Sequence, residues 1–104
     1  LKYNKRLPDA IFFGADNTAD GGLLALDEAG IDVPQDIKVV GFDDDKPNNY
    51  DLTRPVVPLT TIQQPLYEAG VKAVQIILNQ IKFPDAPKQK AVISPKLIER
   101  DSAR

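Results

Sequence analysis

The fold is indicated most clearly by the segment Val39-Val40-Gly41-Phe42-Asp43-Asp44, in which an apolar run stops abruptly at acidic residues. Continuous apolar runs of this length are typical of parallel strands that are covered on both faces. In open α/β sheets, ligands bind outside the carboxyl ends of such strands. The segment therefore predicts a buried strand over residues 37–42, at whose end the Asp43 carboxylate is a candidate ligand contact.

A second strand end of the same kind comes earlier in the chain. Residues 10–15 form a short apolar run that stops at Asp16, and small or apolar positions then recur at three- and four-residue steps up to Ala29. This periodicity predicts a helix over residues 17–29, with Asp16 as its N-cap and Gly30 after its last turn. Asp16 is also a candidate ligand contact, because the two strand ends would open onto a common crevice.

The rest of the chain continues the alternation of strands and helices. Residues 59–62 indicate a third strand, and Pro65 is expected to be the first residue of a helix whose amphipathic pattern covers residues 66–81. Residues 91–94 and 96–100 indicate two further short strands. The helix between the first two strands requires a right-handed crossover. The predicted fold class is therefore α/β, with a mostly parallel sheet and flanking helices.

Composition excludes several classes of function. The 13 basic and 15 acidic residues give no electrostatic reason for this segment to bind nucleic acid by itself. The chain has no histidine and no cysteine, which excludes a catalytic triad and a thiolate metal site. The run Asp43-Asp44-Asp45 does not predict a metal site either, because successive side chains on a strand diverge. We therefore expect no enzyme activity, no cofactor and no bound metal.

The sequence also bears on location. No apolar run approaches the roughly 18 residues that a membrane span requires, so no membrane partner is expected. The absence of cysteine suits a cytoplasmic protein.

Several segments, in order and with matching spacing, resemble the C-terminal part of LacI-type transcriptional regulators. They are residues 8–12, Gly14-Ala15-Asp16, residues 30–36, residues 39–44, residues 58–65 and residues 95–102. The resemblance implies one lobe of a type I periplasmic-binding-protein-like fold, in which two α/β lobes close on a small molecule. Residues 1–104 would form a partial C-terminal lobe, with residues 59–65 as a candidate crossing between lobes. The N-terminal lobe and the DNA-binding domain would lie outside this chain.

The resemblance also implies a function. Asp43 matches the family position whose carboxylate faces the effector, which is expected to be a sugar or sugar derivative. Many members have Asn-Asp where this chain has Ala15-Asp16, so the difference bears on which ligand binds. Effector binding would alter operator binding by a helix-turn-helix outside the chain, in a homodimer. Family positions that contribute to subunit pairing correspond to Leu23, Leu24, Asp27 and Tyr50.

Two alternatives stay open at this point. A sugar-binding component of a membrane transporter has the same fold, but it would need an export signal upstream and usually has aromatic residues that stack on the sugar. A receiver or small enzyme domain is disfavoured, because no lysine and histidine constellations of those classes are visible.

Overall fold

Two parallel strands lie at the centre of the fold. The computed structural model describes residues 6–45 and 57–104. Strand β1 (Ala10–Phe12) pairs in parallel with strand β2 (Lys38–Val40), in register from the first residue of each strand to the last. The predicted parallel pair is confirmed, although the hydrogen-bonded strands are shorter than the two apolar runs.

Helix α1 (Asp16–Glu28) connects the two strands and supplies part of the core. The fully or nearly buried apolar residues are Ala19, Leu23, Ile31, Ile37 and Val39. Burial of a side chain such as leucine or isoleucine contributes about 1.5–3 kcal/mol, so this cluster stabilises the helix on the strand pair. The helix predicted over residues 17–29 is confirmed to within one residue at each end.

The chain divides into two compact units. Unit 1 comprises Leu1–Gln63 and Leu97–Arg104, and unit 2 comprises Gln64–Lys96. Unit 1 contains the core cluster and, within its described residues, the strand ends discussed below.

Unit 2 consists of one long helix and the segment that follows it. Helix α2 (Leu66–Lys82) matches the predicted pattern over residues 66–81, with Pro65 at its N-cap and not at its first helical position. No residue of α2 is buried, and most of its large aliphatic side chains are exposed. They are Leu66, Val71, Val74, Ile77, Leu78 and Ile81.

Of the three strands predicted in the second half of the chain, over residues 59–62, 91–94 and 96–100, the first and the last are confirmed with changed bounds. Residues 91–94 were expected to form a strand, but the described structure assigns none there. Strand β3 (Thr61–Gln63) pairs with strand β4 (Lys96–Ile98). Thr60, just before β3, makes an isolated parallel bridge to Val40. A β-branched, apolar segment becomes a strand only where a partner strand is available, so the local pattern alone wrongly predicted a strand over residues 91–94.

A 3₁₀ turn at Asp101–Ala103 connects β2 to the residue that precedes β3. The Ser102 hydroxyl donates to the Val39 carbonyl at 2.5 Å and accepts from the Thr60 amide at 2.8 Å. The Ser102 side chain is fully buried. One hydroxyl thus satisfies a buried donor and a buried acceptor from two different strand segments.

Replacement of Ser102 by alanine should lower the free energy of unfolding by about 2 kcal/mol, because it leaves the Thr60 amide and the Val39 carbonyl without this partner. Urea unfolding of the complete protein, followed by circular dichroism, measures the change. Ser94→Ala is the matched control, since Ser94 is exposed. Equal unfolding midpoints for the two variants would contradict the structural role of Ser102.

Candidate functional site: the strand ends around Asp43

The loop that follows β2 has an unusual backbone conformation. Asp43 and Asp44 have φ angles of 108° and 59°, in the region that residues other than glycine rarely adopt. The Asp43 amide donates to the Ile62 carbonyl at 2.8 Å, and the Asp44 amide lies 3.4 Å from the Thr61 hydroxyl oxygen. The neighbouring β3 segment therefore holds this turn in a conformation that the chain would otherwise avoid.

Asp16 connects the end of β1 to the same loop. Its carboxylate is buried and accepts from the Thr61 hydroxyl at 2.7 Å and from the Asp45 amide at 2.9 Å. Its own amide donates to the Phe42 carbonyl at 3.0 Å. Both oxygens thus have partners within the protein, and the carboxylate links the end of β1 to the loop after β2 and to the first residue of β3.

The predicted capping role of Asp16 is wrong. The N-cap of α1 is Ala15, which makes no side-chain capping bond, and Asp16 is the first helical residue. The carboxylate is directed to Thr61 and Asp45 instead of the first turn of the helix. An interaction with residues distant in sequence has replaced the local one, as buried carboxylates require full hydrogen bonding.

Asp44 has two partners of its own. Its Oδ1 lies 2.8 Å from Arg100 Nη2, and its Oδ2 accepts from Gln63 Nε2 at 2.8 Å. Arg100 Nη1 donates to the Leu59 carbonyl at 3.0 Å. The guanidinium therefore bridges the loop after β2 and the segment that leads into β3. We call the two contacts of Arg100, with the Asp44 carboxylate and with the Leu59 carbonyl, the Arg100 bridge.

Sequence reasoning did not single out Thr61, Gln63 or Arg100 as part of the site. All three lie in segments that support the family resemblance, residues 58–65 and 95–102. Local sequence could not predict that they contact the aspartates, because Arg100 lies 56 positions from Asp44 and Thr61 lies 45 positions from Asp16.

The structure places both predicted ligand-binding residues just after the carboxyl ends of paired parallel strands. Asp16 begins α1 after β1, and Asp43 follows β2 and is half-buried. Direct ligand contact stays a prediction for both. Both Asp16 oxygens already accept hydrogen bonds within the protein, which indicates a structural role for this carboxylate.

The residues predicted at a dimer surface have different environments. Leu24 and Asp27 are exposed on α1, whereas Leu23 is 8% exposed and belongs to the core cluster. Because Leu23 is buried by its own chain, its position does not support an interface contact. Tyr50 lies outside the described residues.

Two further observations concern residues 6–45 and 57–104. Within them, no three acidic side chains form a group that could hold a metal ion. No helix in these ranges has the length and apolarity needed to cross a membrane.

Comparison with known proteins places this geometry in a family. Residues 1–103 match the model of the periplasmic binding protein-like domain. The chain is 40% identical over 96 residues to the ribose operon repressor of Escherichia coli strain K12, a match that covers 92% of this chain and 28% of that protein.

Solved structures give the same result. The chain is similar to a LacI family transcriptional regulator from Enterococcus faecium with bound ribose, at 28% identity and a TM-score of 0.73, covering 91% of this chain and 34% of that one. It is also similar to the lac repressor dimer bound to operator and the anti-inducer ONPF, at 31% identity and a TM-score of 0.75, covering 93% and 32% of the two chains.

The chain belongs to the periplasmic binding protein-like domain family, and it corresponds to part of the effector-binding domain of LacI-family regulators. The resemblance inferred from sequence is thus confirmed. The chain spans 28% of the length of the ribose operon repressor and about a third of each solved relative. These relatives are transcriptional regulators, in agreement with the prediction that the chain is not an enzyme.

Proposed function

We propose that this chain is the effector-sensing portion of a LacI-type transcriptional repressor, and that its effector is a sugar. The observation behind the proposal is the turn at Asp43 and Asp44. Two consecutive residues with positive φ lie at the carboxyl end of a parallel strand and are held there by β3. Conformations of this kind cost about 1–3 kcal/mol each and are concentrated at ligand-binding sites.

The chemistry of Asp43 fits a sugar. A carboxylate can accept hydrogen bonds from two vicinal hydroxyl groups at once, and charge-assisted bonds are about twice as strong as neutral ones. Ribose is bound by the Enterococcus faecium relative, and the Escherichia coli relative is a ribose operon repressor. In the proposed site Asp43 accepts from the effector, while Asp16 fixes the loop from behind through Thr61 and Asp45.

The division into units supports the proposed crossing at residues 59–65. The boundary between unit 1 and unit 2 falls at Gln63 and Gln64, within that segment. In this proposal unit 1 belongs to the C-terminal lobe. Unit 2 would then belong to the other lobe, which differs from the expectation that all of residues 1–104 lie in one lobe.

The activity of the whole protein forms the rest of the proposal. A helix-turn-helix outside this chain would bind the operator as a homodimer in the cytoplasm, and effector binding would change the operator affinity. The solved lac repressor dimer bound to operator supports this assembly. The alternative of a transporter component receives no comparable support, because the relatives described above are regulators.

A calorimetric titration of the complete protein tests the proposal. The panel consists of pentoses, hexoses and disaccharides and begins with ribose. We expect one sugar to bind with a clear heat signal and to shift the affinity for operator DNA in a gel-shift or fluorescence assay. Binding of no sugar in the panel, or sugar binding without an effect on operator affinity, would overturn the proposal.

A further inference from the structure

Arg100 is fixed on its backbone side by Thr60. The Arg100 amide donates to the Thr60 hydroxyl oxygen at 2.8 Å, and the Arg100 carbonyl accepts from the same hydroxyl at 2.8 Å. Thr60 is itself buried. The backbone of Arg100 is therefore fixed beside Thr60, where the β3 segment meets the C-terminal residues. The side chain extends from this fixed backbone position towards Asp44.

The guanidinium end of the side chain makes the two contacts of the Arg100 bridge. Nη2 lies 2.8 Å from Asp44 Oδ1, and Nη1 lies 3.0 Å from the Leu59 carbonyl oxygen. A guanidinium is planar and its donors have a rigid arrangement, so these two contacts, together with the Gln63 amide on Oδ2, fix the direction of the Asp44 carboxylate. A lysine ammonium could replace the charge but not this geometry.

Asp44 is the direct neighbour of the residue proposed to bind the effector. Both residues have positive φ and form one turn. A change in the backbone conformation of Asp44 would therefore change the direction of the Asp43 side chain. The amides of Asp43 and Asp44 contact the Ile62 carbonyl and the Thr61 hydroxyl, and the Arg100 bridge holds the same turn through the Asp44 side chain.

We propose that Arg100 is a positioning residue for the effector site, which acts on the ligand through Asp44 and Asp43. The inference rests on the proposed function of Asp43 in effector binding. Arg100 itself does not need to touch the effector. Its role is to hold the loop in the conformation that presents the Asp43 carboxylate.

A purely structural ion pair would behave differently. The Arg100 and Asp44 side chains are 38% and 17% exposed, so solvent screens the arginine end of the pair and limits its contribution to stability. Loss of the bridge should therefore change the unfolding midpoint only slightly. A loss of effector affinity that is much larger than the loss of stability would distinguish positioning from a structural role.

The test uses the complete protein and the sugar from the panel that binds with the highest affinity, with ribose titrated first. Arg100→Gln removes the charge, and Asp44→Asn breaks the same pair from the other side while keeping a residue that tolerates positive φ. We expect each variant to bind the sugar about tenfold more weakly. Arg100→Lys should not restore the affinity, because the ammonium cannot reproduce both contacts.

Arg104→Gln is the matched control. Arg104 pairs with Asp101 at 3.1 Å in an exposed ion pair of the same C-terminal segment. This variant should leave sugar affinity unchanged. Circular dichroism and thermal unfolding of every variant establish that the fold is retained.

A double-mutant cycle decides whether Arg100 acts through Asp43. In an Asp43→Asn background, Arg100→Gln should cause no further loss of affinity, since the group that it positions is already gone. Additive losses would overturn the inference, as would wild-type affinity in both Arg100→Gln and Asp44→Asn. If Asp43→Asn weakens binding and Arg100→Gln does not, only the positioning role fails. If the unmodified protein binds no sugar, the proposed function fails and this inference with it.

Discussion

Replacement of Gly41 by alanine is expected to lower the free energy of unfolding by about 3 kcal/mol, near the upper end of the usual cost of overpacking. Gly41 is buried just after β2, and its amide donates to the Thr60 carbonyl at 2.9 Å. A Cβ at this position would overlap Asp16 Oδ1 and would lie 2.8 Å from Leu59 Cδ2. The backbone of β2 and the Asp16 carboxylate cannot both keep their positions if a methyl group is added.

The predicted loss has a second component. If Asp16 moves away from the added methyl group, its hydrogen bonds with the Thr61 hydroxyl and the Asp45 amide are weakened or broken. Each buried polar group left without a partner costs about 1–3 kcal/mol. The Gly41 substitution should therefore also disturb the loop at residues 43–45, and sugar affinity should fall together with stability.

Gly21→Ala is the control for this prediction. Gly21 lies on α1 with no atom within 4 Å of an added Cβ. Alanine there should raise stability by about 1 kcal/mol, because glycine is unfavourable inside a helix. Urea unfolding of the two variants of the complete protein should thus give midpoint shifts of opposite sign. A Gly41→Ala protein as stable as the unmodified one would show that the described approach of Asp16 to β2 is wrong.

Replacement of Asp43 by asparagine should weaken sugar binding about 100-fold, because it removes charge-assisted hydrogen bonds that contribute about 1.5–3 kcal/mol each. Asparagine is the appropriate substitution, since it tolerates positive φ better than alanine does. The turn should therefore keep its backbone conformation. Calorimetric titration with the sugar that the unmodified protein binds measures the change.

Two comparison variants complete the Asp43 experiment. Asp43→Gly removes the whole side chain at a position where glycine adopts positive φ without steric cost, and it should lose at least as much affinity. Asp45→Asn is the matched control, because Asp45 is exposed and its backbone amide, rather than its side chain, contacts Asp16. Unchanged sugar affinity in the Asp43→Asn variant would show that the Asp43 carboxylate does not bind the sugar.

Local pattern predicted the elements whose formation depends mainly on local interactions. Helix α2 was placed by its apolar periodicity, and α1 by recurring small and apolar positions up to Ala29. The parallel pair of β1 and β2 followed from two continuous apolar runs joined by a helix. In each case the information lies within a few turns or residues of the element itself.

Features that depend on distant partners were not predicted. The segment 91–94 is as β-branched and apolar as a strand, yet it forms none, whereas the strand predicted over residues 96–100 is present as Lys96–Ile98 and pairs with β3. Asp16 has the sequence position of an N-cap, yet its carboxylate accepts from Thr61. The link from Arg100 to Asp44 joins residues that no short-range rule connects. The resemblance identified the segments that meet, but it did not specify the contacts between them.

The position of Ser102 has a consequence for biosynthesis. Its hydroxyl bonds to Val39, 63 positions earlier, and to Thr60, so the junction of these segments is incomplete until residue 102 has left the ribosome. Contacts of such large sequence separation form late, because the intervening chain must first be ordered. Unit 1 can therefore complete its native contacts only after residue 102 has been translated, and until then its strand edges are accessible to chaperones or to neighbouring nascent chains.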